Sequence, residues 1–155
     1  MTFRTKSRLT ISQSVPEVWA YICDVGRWPE WAPTVREGWV AGGTPLAAGA
    51  RVEQRAKLMF GLSRHRAQTV TAIEAPRRVA FAGPFGTAAA RWGMEFEPIE
   101  GDRTETEMWV EVDLMNIMRA IPIRFLEGRI QRVMDIEMGL IKAAIESDPV
   151  REPVS

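Results

Sequence analysis

Residues 116–146, NIMRAIPIRFLEGRIQRVMDIEMGLIKAAIE, set the architecture. Here the hydrophobic period changes from two to near 3.6 and stays there, which predicts a long helix. Leu126, Ile130, Val133, Leu140, Ile141 and Ala144 make one apolar face, and Arg129, Arg132, Asp135 and Lys142 lie mostly on others. Pro122 kinks this helix or ends a separate first segment before it. About 25 helical residues at about 1.5 Å each span roughly 35–40 Å. That is long for a chain of 155 residues. A single sheet with one apolar face can cover such a helix only by curling around it.

The residues upstream supply that sheet. Phe3 to Ile11 alternates, with Phe3, Thr5, Ser7, Leu9 and Ile11 on one face and Arg4, Lys6, Arg8 and Thr10 on the other. Ser14 reads as an N-cap with Glu17 completing a capping box, and Pro16 is tolerated in the first turn. Val15, Val18, Trp19 and Ile22 form the stripe of a short helix that Gly26 ends, and a helical turn carrying Trp28 and Trp31 follows. Six further strands are expected at 35–40, 51–60, 64–73, 78–82, 88–97 and 104–114, separated by turn-rich segments such as Gly83-Pro84-Phe85-Gly86 and Glu100-Gly101-Asp102. In the fourth strand overall, Arg64, Arg66 and Gln68 are expected outward, leaving His65, Ala67 and Thr69 inward. The fold class is therefore α+β: a curved antiparallel sheet of about seven strands gripping a long C-terminal helix, with two short helices after the first strand. The expected layout is one domain over 1–147 and a flexible tail over 148–155.

Composition narrows the function. Twenty basic and twenty acidic residues cancel, so no global field draws the protein to nucleic acid or to an anionic membrane. A lone cysteine, Cys23, allows no disulfide within the chain. No signal-type apolar segment follows the basic N-terminus, and no stretch approaches the roughly 18 apolar residues of a membrane span. These features fit a cytoplasmic protein. No Gly-rich phosphate loop, serine-nucleophile motif or metal-ligand spacing is present, so neither a metal nor another cofactor is expected.

The element order, together with Ser14-x-x-x-Val18-Trp19-x-x-Ile22-x-Asp24-x-x-x-Trp28-Pro29-x-Trp31, Ala75-Pro76-Arg77-Arg78-Val79 and Asp135-Ile136-Glu137-x-Gly139-Leu140 with Ile141-Lys142, resembles the START-like superfamily, also called SRPBCC or helix-grip. That group includes polyketide cyclases, Bet v 1-type proteins and lipid-transfer domains. The resemblance covers nearly the whole chain and implies binding of a small hydrophobic molecule, such as a lipid, polyketide or aromatic compound, between sheet and helix. None of the matched residues is catalytic.

Two residues stand out as candidate acid-base groups. His65, the only histidine, points inward by alternation; it would serve as a general base or ligand anchor, or else as a core or rim histidine bonded to backbone. Glu137 falls within the apolar stripe on a 100° wheel; it is a general acid in the cup, or a carboxylate at the stripe's edge that reaches solvent or an arginine. The expected cavity wall comprises Trp28, Trp31, Gln54, Leu58, His65, Thr69, Phe81, Trp92, Met94, Met108, Val110, Phe125 and Ile130. Thr71 and Thr106 add inward hydroxyls. Three function classes follow: a carrier of a small hydrophobic molecule, a cyclase or dehydratase using His65 or Glu137, and a module that docks on a protein, or transiently on a membrane, through the apolar, arginine-interleaved segment 117–125. Trp109, outward between Glu107 and Glu111, hints at a homodimer or partner contact unless a bulge turns it inward.

Overall fold

Alternation in the first strand survives intact in the computed structural model, which describes residues 2–85, 88–113 and 122–147. β1 (Thr2–Ile11) buries Phe3, Thr5, Ser7 and Ile11 and exposes the basic residues between them. α1 (Val15–Ile22) follows, with Ser14 at the N-cap but no capping hydrogen bond from its side chain, so the serine half of the expected box is not formed. A 3-10 turn (Val25–Glu30) carries Trp28 and hands over to Trp31. The sheet continues through β2 (Val35–Val40), β3 (Arg51–Lys57), β4 (Ser63–Glu74), β5 (Arg78–Phe85), β6 (Ala88–Ile99) and β7 (Arg103–Asp113) before α2 (Ile123–Ser147).

All seven strands lie in one antiparallel sheet in the order β1-β7-β6-β5-β4-β3-β2. β1 is thus paired to the last strand, and consecutive hairpins complete the rest. Register shifts between Val35 and Glu37 and between Val70 and Ala72 bend the sheet, as bulges do. β3 stops at Lys57, short of the expected Phe60, because Met59–Gly61 form a 3-10 turn with Phe60 in the left-handed region (φ 61°). No helix among the described residues is long and apolar enough to cross a membrane.

α2 buries Ile130, Met134, Met138, Ile141 and Ile145. Its inner stripe therefore runs through two methionines, while Leu140 and Val133, expected inside, are 37% and 48% exposed. Unbranched methionines fit the uneven space under a curved sheet better than leucine at the neighbouring positions. The helix is fastened to the free edge of β1 by polar bonds. Gln131 donates to the Lys6 carbonyl at 2.8 Å, Lys142 to the Thr10 carbonyl at 2.8 Å, and Ser7 to the Asp135 carboxylate at 2.7 Å. Glu146 accepts from the Ser12 backbone N–H at 2.8 Å. These bonds use edge groups that would otherwise invite another strand. The expected tail, 148–155, and residues 117–121 of the segment 117–125 lie outside the described residues.

Trp109 lies on the outer face of the sheet, as alternation predicts. The Arg4 guanidinium sits 4.6 Å from the centre of its ring, and Gly93 lies directly opposite on β6. A Cβ at position 93 would meet Trp109 Cζ2 and the Val79 carbonyl, each at 2.7 Å. Gly93→Ala is therefore expected to lower stability by about 1–3 kcal/mol through overpacking. Gly139→Ala, at an open position on α2, is expected to raise it by roughly 0.5–1 kcal/mol. Urea denaturation of both variants beside the parent checks the pair; equal midpoints for the two would contradict it.

Candidate functional site

Aromatic residues from three elements meet under the N-terminal half of α2. Trp28 is fully buried, and its indole N–H donates to the Ile22 carbonyl at 2.8 Å. It packs edge-on against Phe81 at 5.3 Å, Trp31 at 5.8 Å and Trp92 at 5.5 Å. Phe81 and Trp92 stack at 4.5 Å, as cross-strand partners on β5 and β6. The sequence Trp28-Pro29-Glu30-Trp31 thus seats two indoles against one end of the sheet, and β6 offers a third.

Beside this cluster lies a cavity of about 380 Å³, open to solvent on one side. That volume falls at the lower end of the range for small-molecule pockets, about 300–1,000 Å³. The wall is mostly apolar, with Trp31, Val35, Trp92, Met108, Val110 and Ile130 among the residues that line it. α2 supplies Leu126, Arg129, Val133 and Glu137 as well, at the three- and four-residue spacing that puts them on one side of a helix. Arg129 and Val133 are exposed and lie where the cavity meets solvent.

Of the residues expected at the wall, Trp28, Trp31, Gln54, Trp92, Met108, Val110 and Ile130 line this cavity. Phe81 and Met94 are fully buried in the adjoining core instead. Five expectations are corrected. Leu58 is 50% exposed in the hairpin beyond β3, because the strand ends before it. Phe125 is 61% exposed on the outside of α2. His65 and Thr69 lie on the outer face of β4, with the His65 side chain 52% exposed beside Glu53 and the Trp39 ring. Thr71 is likewise exposed, whereas Thr106 is buried in the core.

The reason lies in the phase of β4. Val70 is the buried apolar residue of this strand, and parity with it turns Gln68 and Arg66 inward. Sorting by charge alone sends an arginine outward, because charges avoid apolar interiors. Here the interior is a cavity with polar partners. Arg66 Nε donates to Gln54 Oε1 at 2.7 Å, and Trp92 Nε1 donates to Gln68 Oε1 at 2.5 Å. Arg66 and Gln68 are the wall residues that alternation misses, and the parity of Val70 is the signal for them.

Glu137 sits on the wall, half-buried, and no hydrogen bond from the described residues reaches it. Burial pushes its carboxyl up to about 7, and the nearby Arg66 guanidinium opposes this only in part. Burial also lowers the Arg66 value, so both charges are disfavoured by the same enclosure. Cys23 is pushed up to about 12 by burial and remains a thiol. Among the described residues no three ligating side chains converge on a point that could hold a metal ion.

A profile of the family described as polyketide cyclase / dehydrase and lipid transport matches residues 2–146. The chain belongs to this family. Its members share the fold seen here, a START-like helix-grip. A START superfamily protein from Mycobacterium smegmatis superposes with a TM-score of 0.75 at 12% identity, covering 92% of this chain and 97% of that one. Ara h 8.0201 gives 0.73 at 12% identity, covering 96% and 100%, and a protein of Thermus thermophilus gives 0.71 at 16%, covering 92% and 97%. At such identities these likenesses establish the fold alone. No curated protein matches in sequence.

The raised Glu137 value has a consequence for stability. Between about 4.5 and about 7 the folded protein keeps a proton on Glu137 that the unfolded chain has released, so this group's contribution falls as pH rises through that window. The loss is on the order of 3 kcal/mol. Glu137→Gln is expected to be more stable than the parent at about pH 8 and to gain little at about pH 5. Thermal melts across that range test this; parallel curves for the two proteins would contradict it.

Proposed function

We propose that this protein binds a small, largely apolar molecule with an aromatic or similarly flat body in the cavity beneath α2. The observation that carries this reading is the cavity itself, about 380 Å³ walled by Trp31, Trp92, Met108, Val110 and Ile130. A protein interior is ordinarily filled to crystal-like density, so a space of this size with an open side calls for an occupant. Membership of a family described by cyclases, dehydrases and lipid transport supports the same reading.

A second reading rests on Glu137. A carboxyl whose value lies near neutrality, in an apolar cavity, has the character of a general acid or base, and a cyclisation or dehydration of a bound polyketide-like substrate needs such a group. In this reading Glu137 alone is the candidate, since His65 is on the opposite face of the sheet.

Ala90 lines the cavity from β6, and Ala90→Phe would fill part of it. This variant is expected to bind an apolar fluorescent probe at least about tenfold more weakly than the parent, with far-UV circular dichroism unchanged. Native mass spectrometry of the purified parent is expected to show a co-purified molecule that the variant lacks. Equal probe binding by a folded Ala90→Phe protein would place the occupant elsewhere.

A further inference from the structure

The cavity's unspent hydrogen-bonding capacity is mostly on the donor side, with the Glu137 carboxyl as the exception. Gln54 and Gln68 each give their side-chain oxygen to a donor-only partner, Arg66 Nε and Trp92 Nε1, which fixes their amide orientations and leaves the NH₂ groups unspent. The remaining N–H groups of Arg66 have no acceptor among the described residues. Arg129 adds a second guanidinium at the open side. The one carboxyl on the wall, Glu137, accepts no hydrogen bond from the described residues.

We infer, building on the binding reading above, that the natural ligand is an apolar anion, an aromatic or alkyl carboxylate, whose charged end lies against Arg66 while its body rests on Trp31 and Trp92. The geometry gives an acceptor-rich head group several donors already in place, and gives an amine or other donor-rich head group one charged acceptor, Glu137, which burial keeps largely protonated below about pH 7. An arginine engages a carboxylate through paired N–H bonds, and in an enclosed site this is worth more than in water.

Binding is then coupled to a proton. The charged groups on the cavity wall are Arg66 from β4 and Arg129 and Glu137 from α2; β2, β3, β5, β6, β7 and the tryptophan turn bring only uncharged side chains to it. Asp135, Lys142 and Glu146 of α2 are engaged with β1 and the residues just after it. An anion at Arg66 disfavours the Glu137 carboxylate, so binding is tightest when that carboxyl is protonated and weakens as pH rises above about 7.

The test compares anilinonaphthalene sulfonate with phenylnaphthylamine, the same arene without the anionic group, by fluorescence titration. The sulfonate is expected to bind at least about tenfold tighter near pH 6. Arg66→Gln should remove that advantage while leaving phenylnaphthylamine within about twofold, and Arg66→Lys should keep part of it. From about pH 6 to about pH 8 the parent's affinity for the sulfonate should fall several-fold, and in Glu137→Gln it should stay flat. If phenylnaphthylamine binds as tightly as the sulfonate, the cavity reading stands and the anion inference is overturned. If neither probe binds, the cavity reading fails and takes this inference with it. A pH profile unchanged by Glu137→Gln overturns the proton coupling.

Discussion

Both ends of the molecule are arranged by the seam between α2 and the free edge of β1. Gln131 and Lys142 tie the helix to backbone carbonyls of β1, and Ser7 and Ser12 answer from that strand and the turn after it. The helix is thereby held to one side of a seven-stranded sheet rather than centred on it. Its C-terminal half, with Met138, Ile141 and Ile145, closes fully onto the core. Its N-terminal half, from Leu126 to Glu137, roofs the cavity, whose floor comes from β3 to β7. One fastening thus produces both a packed end and an open end.

The aromatic cluster beneath the N-terminal half of α2 sets the geometry of the open end. Trp28 is locked by its bond to Ile22 and by three aromatic neighbours, so the surfaces that Trp31 and Trp92 present to the cavity are fixed by packing. Rigid aromatic walls lose little side-chain entropy when a flat molecule lies against them. The polar groups are similarly prepared: two glutamine oxygens are spent inside the wall, and what remains offered is a set of donors and the Glu137 carboxyl. Enclosure does the rest. It raises the Glu137 carboxyl towards neutrality and lowers Arg66, so a wall with opposite charges near one another is readily relieved of its negative one.

Much of this is legible in the chain. β1, β6 and β7 are recognised by their alternation because one side is core and the other is the outer face, and Phe3, Met94, Phe96 and Val112 lie where that alternation puts them. Glu137 emerges on a helical wheel because a carboxylate in an apolar stripe is a conspicuous exception. β4 is misread in phase when Arg66 is sorted outward by charge before Val70 sets the parity. Period-two alternation identifies a strand but not which side is in, and a ligand cavity is the place where an inward face carries arginine and glutamine. Leu58 and Phe125 mislead for the converse reason: both are large and apolar, yet one follows the end of β3 and the other lies on the outside of α2. Where a strand stops, and how far a helix is rolled, depend on tertiary contacts that no local pattern records.

An occupied chamber under the N-terminal half of α2 is tested most directly by nitrogen–proton NMR of the labelled protein titrated with anilinonaphthalene sulfonate, read at the tryptophan indoles and the backbone of residues 122–137. The chain's six tryptophans include three cavity-lining indoles, Trp28, Trp31 and Trp92, and an outer-face reference, Trp109. Trp31 and Trp92 are expected to shift together with α2 from Leu126 to Glu137, while Trp109 stays still. Shifts confined to the exposed Leu58 to Leu62 hairpin, or to Phe125, Ile136 and Leu140 on the outside of α2, would contradict a chamber there.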